Sequence, residues 1–171
     1  MRGDRDHVER ALQVLVEPGA IFEARILGVK RGPGSRPVIW NGYFDDPQAL
    51  VRALYSPTAW YGAYVTLNPL NPEVINRRRN RLDYCDRSEG STDKDVTSRY
   101  WLPLDFDAIR PTGVSSTDEE HKEALAMARR VRDALLAAGF PQMVLASSGN
   151  GAHLLVRIDW PAGTDLVKRI L

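Results

Sequence analysis

The sequence predicts an α+β fold, with an N-terminal α/β lobe followed by a second lobe of order β-α-β-β-α. Three observations lead to this prediction. Short alternating strands and amphipathic helices share residues 1–82. A capping box formed by Thr117 and Glu120 opens a long helix. The elements from Tyr100 onward follow the order of a ferredoxin-like or RNA-recognition-type half-barrel (RRM-like) that lacks its last strand, so this lobe is incomplete.

The first lobe is predicted to contain two longer helices. Apolar residues recur at helical spacing over Arg5–Val16, and Glu17-Pro18-Gly19 ends that helix. Asp46 as the cap and Pro47 in the first turn open a second helix that runs to about Tyr55. Alternating residues predict three strands: Phe22–Ile26, a return strand beginning at Val38, and Trp60–Leu67. A turn over Asn68–Pro72 then leads to a short helix.

The second lobe, residues 100–171, follows a polar and unpatterned segment, residues 83–99, which we expect to be a mobile loop. Its long helix has an apolar stripe and ends at Gly139. The other predicted elements are strands over Tyr100–Phe106, Gln142–Ala146 and Ala152–Ile158 and a helix over Asp165–Leu171. Since a further strand would complete this lobe, we expect the 171 residues to be a fragment of a single, longer catalytic domain.

Composition excludes several classes of protein. The net charge of +1 argues against a protein that coats polyanions through its overall charge, so nucleic-acid binding would need local patches. The single cysteine, Cys85, rules out an intrachain disulfide framework and fits a reducing cytoplasm. No apolar run approaches the roughly 20 residues of a membrane span, and the N-terminus does not resemble a signal peptide. We therefore expect a cytoplasmic protein without a membrane partner.

A pair of acids ends the first strand of the second lobe. Alternation along a strand puts Asp105 and Asp107 on one face and Phe106 on the other. Two neighbouring carboxylates repel each other unless a cation lies between them, and carboxylate oxygens suit Mg²⁺ or Mn²⁺. The alternative is an exposed strand end with two solvated aspartates.

A glycine-bracketed turn follows the next strand. Gly149 and Gly151 flank Asn150, and such a turn lets backbone N–H groups approach an anion. Ser148 and His153 add donors suited to phosphate oxygens, as does Ser147. The same letters can equally form a tight hairpin turn that binds nothing.

A basic run precedes the polar segment. Its members are Arg77, Arg78, Arg79 and Arg81, and Arg99 follows further on. Guanidinium groups match the geometry of phosphates, so the run could contact a nucleotide or a template backbone. A solvated basic face explains the run equally well.

Asp105-Phe106-Asp107 followed by Ser148-Gly149-Asn150-Gly151-Ala152-His153 resembles motifs I and II of the archaeo-eukaryotic primase superfamily, and most closely the primase-polymerases of bacterial phages and mobile elements. The likeness covers most of the chain beyond about Trp40. It extends through Asn68-Pro69, residues 76–82, Arg99-Tyr100-Trp101, Arg110-Pro111, residues 115–121 and residues 155–159.

The resemblance implies the primase catalytic fold and a two-metal site for Mg²⁺ or Mn²⁺ held by Asp105 and Asp107. It implies that His153 and Ser148 contact the triphosphate, beside the turn Gly149-Asn150-Gly151, with Arg77 and Arg78 as further nucleotide contacts. The implied activity is template-directed nucleotidyl transfer in DNA replication. Its partners would be a DNA template and primer, nucleoside triphosphates and a helicase domain in the full-length protein.

In that family a third carboxylate follows the final helix, and this sequence ends before it. We therefore expect truncation before motif III and a catalytically incomplete chain. Two alternatives remain. One is a non-catalytic nucleic-acid-binding module of the RNA-recognition type, which normally exposes aromatic residues on its sheet. The other, a relaxase-like nuclease, lacks support because His7, His121 and His153 show no paired spacing.

Overall fold

The computed structural model describes residues 4–30, 32, 34–55, 59–86, 88–111 and 113–162. These residues form two compact units. The N-terminal unit comprises the described residues up to Arg99 together with Trp160–Ala162, and the C-terminal unit comprises Tyr100–Asp159. Residues 160–162, which the sequence predicts to belong to the second lobe, are part of the N-terminal unit. The helix predicted over Asp165–Leu171 lies outside the described residues.

The N-terminal unit is built on a four-stranded antiparallel sheet of order β3-β1-β2-β4. The strands are β1 (Phe22–Val29), β2 (Val38–Phe44), β3 (Gly62–Val65) and β4 (Asp83–Cys85). Two helices accompany the sheet and contact each other: α1 (Arg5–Leu15) and α2 (Pro47–Leu54). The side chain of Asp4 caps α1. The side chain of Asp46 caps α2 and Pro47 lies in its first turn, both as predicted from the sequence.

One face of this sheet forms the apolar core with the helices. Phe22 and Phe44 stack with their ring centroids 5.8 Å apart. Leu12 of α1 and Leu50 and Val51 of α2 are buried in the same cluster. Burial of this apolar surface, at about 25 cal/mol per Å², is the main stabilising term for the unit.

The residues predicted to form an unpatterned loop, 83–99, are partly regular. They include β4 and a short 3₁₀ helix, Asp93–Asp95, while another 3₁₀ helix covers Pro72–Arg77. Cys85 is buried and pairs with Ile39 across the sheet, and burial raises the pKa of its thiol. The segment is held by a buried acid, Glu23, whose carboxylate accepts hydrogen bonds from the hydroxyl of Ser91 and from its backbone N–H at 2.7 Å. A buried carboxylate needs such donors, and the sequence pattern could not show them.

The C-terminal unit contains the predicted β-α-β-β order. Its elements are β5 (Ser98–Asp107, which begins in the N-terminal unit), α3 (Asp118–Ala137), β6 (Val144–Ser147) and β7 (Gly151–Pro161, which ends in the N-terminal unit). The sheet order is β5-β7-β6, so the last strand lies in the middle. Thr117 and Glu120 form the predicted capping box of α3, and Gly139 beyond its end has φ = +87°.

The buried side chains of this unit come from small residues of α3, from β7 and, at Trp101, from β5. Ala124 and Ala128 of α3 are buried, as are Ala152, Leu154 and Val156 of β7. The structure is therefore α+β, as the sequence predicts, and it contains two antiparallel sheets. None of the helices in the described ranges combines the length and apolar character that crossing a bilayer requires.

Candidate functional site

The acid pair lies at the end of β5, on the face that the alternation predicts. Asp105 and Asp107 are exposed, whereas Phe106 between them and Leu104 before them are half-buried. Both carboxylates are therefore open to solvent, with 63 % and 50 % of their side-chain surfaces exposed. Since they share one face two residues apart, both can reach a ligand above the strand.

The glycine-bracketed segment is a tight hairpin turn between β6 and β7. Ser147 pairs with Ala152, and the Ser148 backbone N–H donates to the Gly151 carbonyl at 3.1 Å. Gly149, the first residue of the turn, has φ = +86°, the left-handed conformation that favours glycine. The Ser148 hydroxyl accepts from the Gly151 N–H at 2.8 Å. The Gly149 N–H donates to the Ser147 hydroxyl at 3.2 Å. Two backbone donors of the expected anion nest, those of Gly149 and Gly151, are thus occupied, while the hydroxyl proton of Ser148 stays available to a ligand.

Gly151 brings this hairpin against the acid strand. A Cβ atom at Gly151 would lie 2.2 Å from the Phe106 carbonyl oxygen and 2.4 Å from Asp107 Oδ1. Real Cβ atoms do not approach other atoms so closely, so only glycine allows this separation. The requirement explains the second glycine of the Gly-Asn-Gly motif: it sets the distance between the turn and the carboxylate of Asp107.

His153 lies beside Asp105. His153 is the residue opposite Ala146 in the β6–β7 pairing, and its side chain is on the exposed face of β7. Its Nε2 atom is 3.3 Å from Asp105 Oδ1. Because both groups are about half exposed, this contact contributes little stability and a ligand can displace it. Asp105, Asp107, Ser148, Gly151 and His153 are thus gathered at one end of one sheet.

Three further side chains lie around the turn: that of Asn150, which was predicted as a site residue, and those of His121 and Arg110, which were not. The Nε2 atom of His121 on α3 is 2.9 Å from the Ser147 hydroxyl. The Asn150 side-chain oxygen accepts from the Ser116 backbone N–H at 3.2 Å. Arg110 places a guanidinium nitrogen 3.7 Å from Asp107 Oδ1. Arg110 and His121 lie in the segments 110–111 and 115–121 that carry the family resemblance, which was the available signal.

Arg77 and Arg78 belong to the N-terminal unit, where acidic and polar groups surround them. Arg78 donates to Asn41 at 2.8 Å and to Glu89 at 2.9 Å. Arg77 donates to the Tyr43 hydroxyl at 3.3 Å and pairs with Asp95 at 3.5 Å. Both arginines line an open cleft of about 570 Å³.

The contacts around these arginines explain the pKa shifts of Tyr43, Arg77 and Asp95. Burial raises the pKa of Tyr43, while the Tyr43 hydroxyl is the main cause of a raised pKa for Arg77. The backbone N–H of Thr92 holds the pKa of Asp95 below its usual range.

The donor set fits a divalent cation in chemistry but supplies few ligands. Asp105 and Asp107 offer the hard carboxylate oxygens that Mg²⁺ and Mn²⁺ prefer. Within the described ranges no three His, Cys, Asp or Glu residues are grouped so that they could hold a metal ion. Asp159, a later carboxylate, accepts a hydrogen bond from Arg157 at 2.7 Å instead. The pair therefore suits a cation that also takes oxygens from a bound phosphate.

Comparisons with protein-family models, with curated proteins and with solved structures gave no match. The likeness to primase-polymerases therefore depends on the motifs in the sequence, and it stays a prediction.

Proposed function

We propose that the protein is a nucleotidyltransferase of the DNA primase-polymerase type, which joins nucleoside triphosphates to a primer on a DNA template. The observation that supports this proposal is the 3.3 Å approach of His153 Nε2 to Asp105 Oδ1 at the mouth of a glycine-restricted hairpin. Two motifs separated by 40 residues thus meet in a site that is open to solvent and weakly occupied by internal partners. The primase catalytic fold and a helicase domain as partner belong to the same proposal.

The residues would act by positioning and by neutralising charge. Asp105 and Asp107 would hold Mg²⁺ or Mn²⁺, which supplies charge neutralisation for the attacking and leaving oxygens. His153 donates an N–H to a phosphate oxygen and carries a positive charge when protonated. The Ser148 hydroxyl donates its proton to the same phosphate chain, since its oxygen already accepts from Gly151 N–H.

The proposal also includes Arg77 and Arg78, as further contacts for phosphates. Each guanidinium already holds a carboxylate, Asp95 or Glu89, at the surface. A phosphate would have to replace these carboxylates, and bidentate pairing makes that exchange feasible. These residues are therefore proposed as secondary contacts.

The alternative binding module of the RNA-recognition type has less support. In the described part of the C-terminal unit, the exposed large apolar residues, which are Ile109, Val114, Met127 and Phe140, all lie outside the strands. The aromatic residues at the start of β5 are engaged by Arg157, whose guanidinium lies 4.7 Å from the Tyr100 ring centroid and 5.4 Å from that of Trp101. Stacking of bases on this sheet would need those rings to be free.

The test is calorimetric titration of dTTP into the protein with and without Mn²⁺, followed by extension of a primer on a DNA template. Asp105→Ala and His153→Ala are the site variants, and Glu123→Ala, an exposed acid of α3, is the matched control. We expect Mn²⁺-dependent binding that is lost in Asp105→Ala, weakened about tenfold in His153→Ala and unchanged in the control. Binding of dTTP that needs no metal and survives Asp105→Ala would overturn the proposal.

A further inference from the structure

A cleft opens beside Asp107, on the loop that joins β5 to α3. It has a volume of about 380 Å³, and Asp107, Arg110, Ser115 and Asn150 are among its lining residues. The volume exceeds that of a few water molecules and suits a small polar ligand. Its position makes it an extension of the acid site, since Asp107 belongs to both.

Arg110 is the cationic side chain among the cleft-lining residues, and it is largely buried, with 16 % of its surface exposed. Its Nε–H donates to the Val114 carbonyl at 2.9 Å, which fixes the direction of the side chain. Its Nη2 atom lies 3.7 Å from Asp107 Oδ1, too far for a good hydrogen bond. Its Nη1 atom is shielded from solvent and finds no acceptor within the described ranges. A buried charge with spare donors is costly unless an anionic partner completes it.

Two contacts hold the cleft in shape without a ligand. The Asn150 side chain ties the hairpin turn to the backbone of Ser116, immediately before α3. The Arg110–Val114 bond closes the loop on its other side. The N-terminus of α3 adds little attraction for anions, because Asp118, Glu119 and Glu120 already occupy its first turn. Arg110 is therefore the group that would recognise a ligand here.

The charges of the cleft define the class of ligand. A free anion would meet the carboxylate of Asp107 as well as the guanidinium of Arg110. A polyphosphate chelated to a divalent cation satisfies both groups, because its metal faces the carboxylate and its outer oxygens face the guanidinium fork.

We propose that this cleft is a subsite for metal-chelated pyrophosphate, the terminal portion of a nucleoside triphosphate, and that Arg110 is its binding residue. The inference rests on the proposed nucleotidyl transfer and deepens it. His153 and Ser148 then hold one side of the phosphate chain, and Arg110 holds the end that leaves. The competing explanation is that Arg110 only braces the loop through Val114.

The experiment titrates inorganic pyrophosphate, and separately dTTP, into the full chain in the presence of Mn²⁺. The variants are Arg110→Gln, Arg110→Lys and, as a matched control, Arg130→Gln, which removes an exposed arginine of α3. We expect Arg110→Gln to weaken pyrophosphate binding at least tenfold, Arg110→Lys to weaken it less and Arg130→Gln to leave it unchanged. Thermal unfolding of each variant shows whether the fold is kept.

The outcomes separate this inference from the proposed function. If Arg110→Gln binds pyrophosphate as tightly as the wild type while Asp105→Asn does not, the subsite is wrong and the nucleotidyltransferase proposal stands. If the wild type binds neither ligand in the presence of Mn²⁺, both fail. Should Arg110→Gln unfold, Ser115→Asp introduces a carboxylate into the cleft and leaves the brace intact. Unchanged pyrophosphate binding by that variant would likewise refute the subsite.

Discussion

The basic run of the N-terminal unit and the acid pair of the C-terminal unit differ in the partners that their charges have. Arg77, Arg78 and Arg79 each pair with a carboxylate, at 3.5, 2.9 and 2.5 Å. Among the described residues, the charged partners of Asp105 and Asp107 are a histidine at 3.3 Å and a guanidinium at 3.7 Å. The first set is matched internally, and the second leaves oxygens free for a ligand.

This difference indicates which charges serve stability and which serve binding. Removing one member of a matched pair lowers the free energy of unfolding, because the other member loses its hydrogen bond. Exposed and weakly matched acids contribute little to folding and can be replaced without loss of the fold. The two groups should therefore respond in opposite ways to the same chemical change, which is the removal of one carboxylate charge.

The largest effect is expected for Asp105→Asn. Metal-dependent dTTP binding should weaken by roughly 100-fold. Loss of a residue that only supports a metal ligand can already have an effect of that size, and Asp105 is proposed as a ligand itself. The free energy of unfolding should change by less than about 0.5 kcal/mol, because the side chain is exposed and its contact with His153 is solvent-accessible. Calorimetric titration and urea unfolding measure the two quantities. A loss of stability greater than the loss of binding would reverse the comparison.

Gly151→Ala tests whether the hairpin must lie against the acid strand. We expect a loss of about 1–3 kcal/mol in unfolding free energy, because the new methyl group collides with the backbone of Phe106. Binding of dTTP should weaken as well, since Asp107 has to move. Gly32→Ala is the control, because no atom of the described residues lies within 4 Å of its Cβ position. Equal unfolding curves for the two variants would show that the close approach is not required.

Asp45→Asn removes a charge from the matched set. Asp45 accepts hydrogen bonds from Arg79 and Asn80, both at 2.5 Å, at the end of the basic run. We expect a loss of at most about 1 kcal/mol in unfolding free energy, since Arg79 is exposed and Asp45 is only partly shielded from solvent. Mn²⁺-dependent dTTP binding should stay unchanged. A variant that is as stable as the wild type but binds poorly would place Asp45 in the functional group.

The smallest effect concerns pH. The hydrogen bond from Asn80 is the main cause of the lowered pKa of Asp45. The hydrogen bond from the Thr92 backbone is the main cause of the lowered pKa of Asp95. A carboxyl with a lowered folded-state pKa stabilises the protein above its unfolded pKa, near 4, and loses that contribution as pH falls through the folded value. The wild type should therefore lose its advantage over Asp45→Asn, at most about 1 kcal/mol, between pH 5 and pH 2. An advantage that persists at low pH in urea unfolding would contradict the assigned pairing.

Local rules predicted the elements whose signals lie close together in the sequence. The bonds between Thr117 and Glu120 join residues three positions apart, and Asp46 caps its helix over two positions. The sequence did not predict β4, because a strand of three residues is too short to show an alternating pattern. It also did not predict the order of the segment that follows, because the bonds from Ser91 to Glu23 join residues 68 positions apart. Tertiary contacts of that kind leave no local pattern.

For the site, the two motifs and the alternation of β5 predicted which side chains would point to one face. The sequence did not reveal that Ser148 and Gly151 bond each other, or that Asn150 reaches Ser116, 34 positions away. Arg110 is only three positions from Asp107, yet its burial depends on how the loop folds back to Val114. Exposure and partner choice are properties of the folded loop, so they lie beyond residue type and spacing.

The burial of Cys85 at the pairing of β4 with β2 has a practical consequence. A thiol that is 2 % exposed, with a raised pKa, resists alkylation until the strand beside it detaches. Because it is the one cysteine of the chain, modification by a thiol reagent reports the opening of a single edge. The rate at which Cys85 is modified therefore measures local unfolding of the N-terminal sheet.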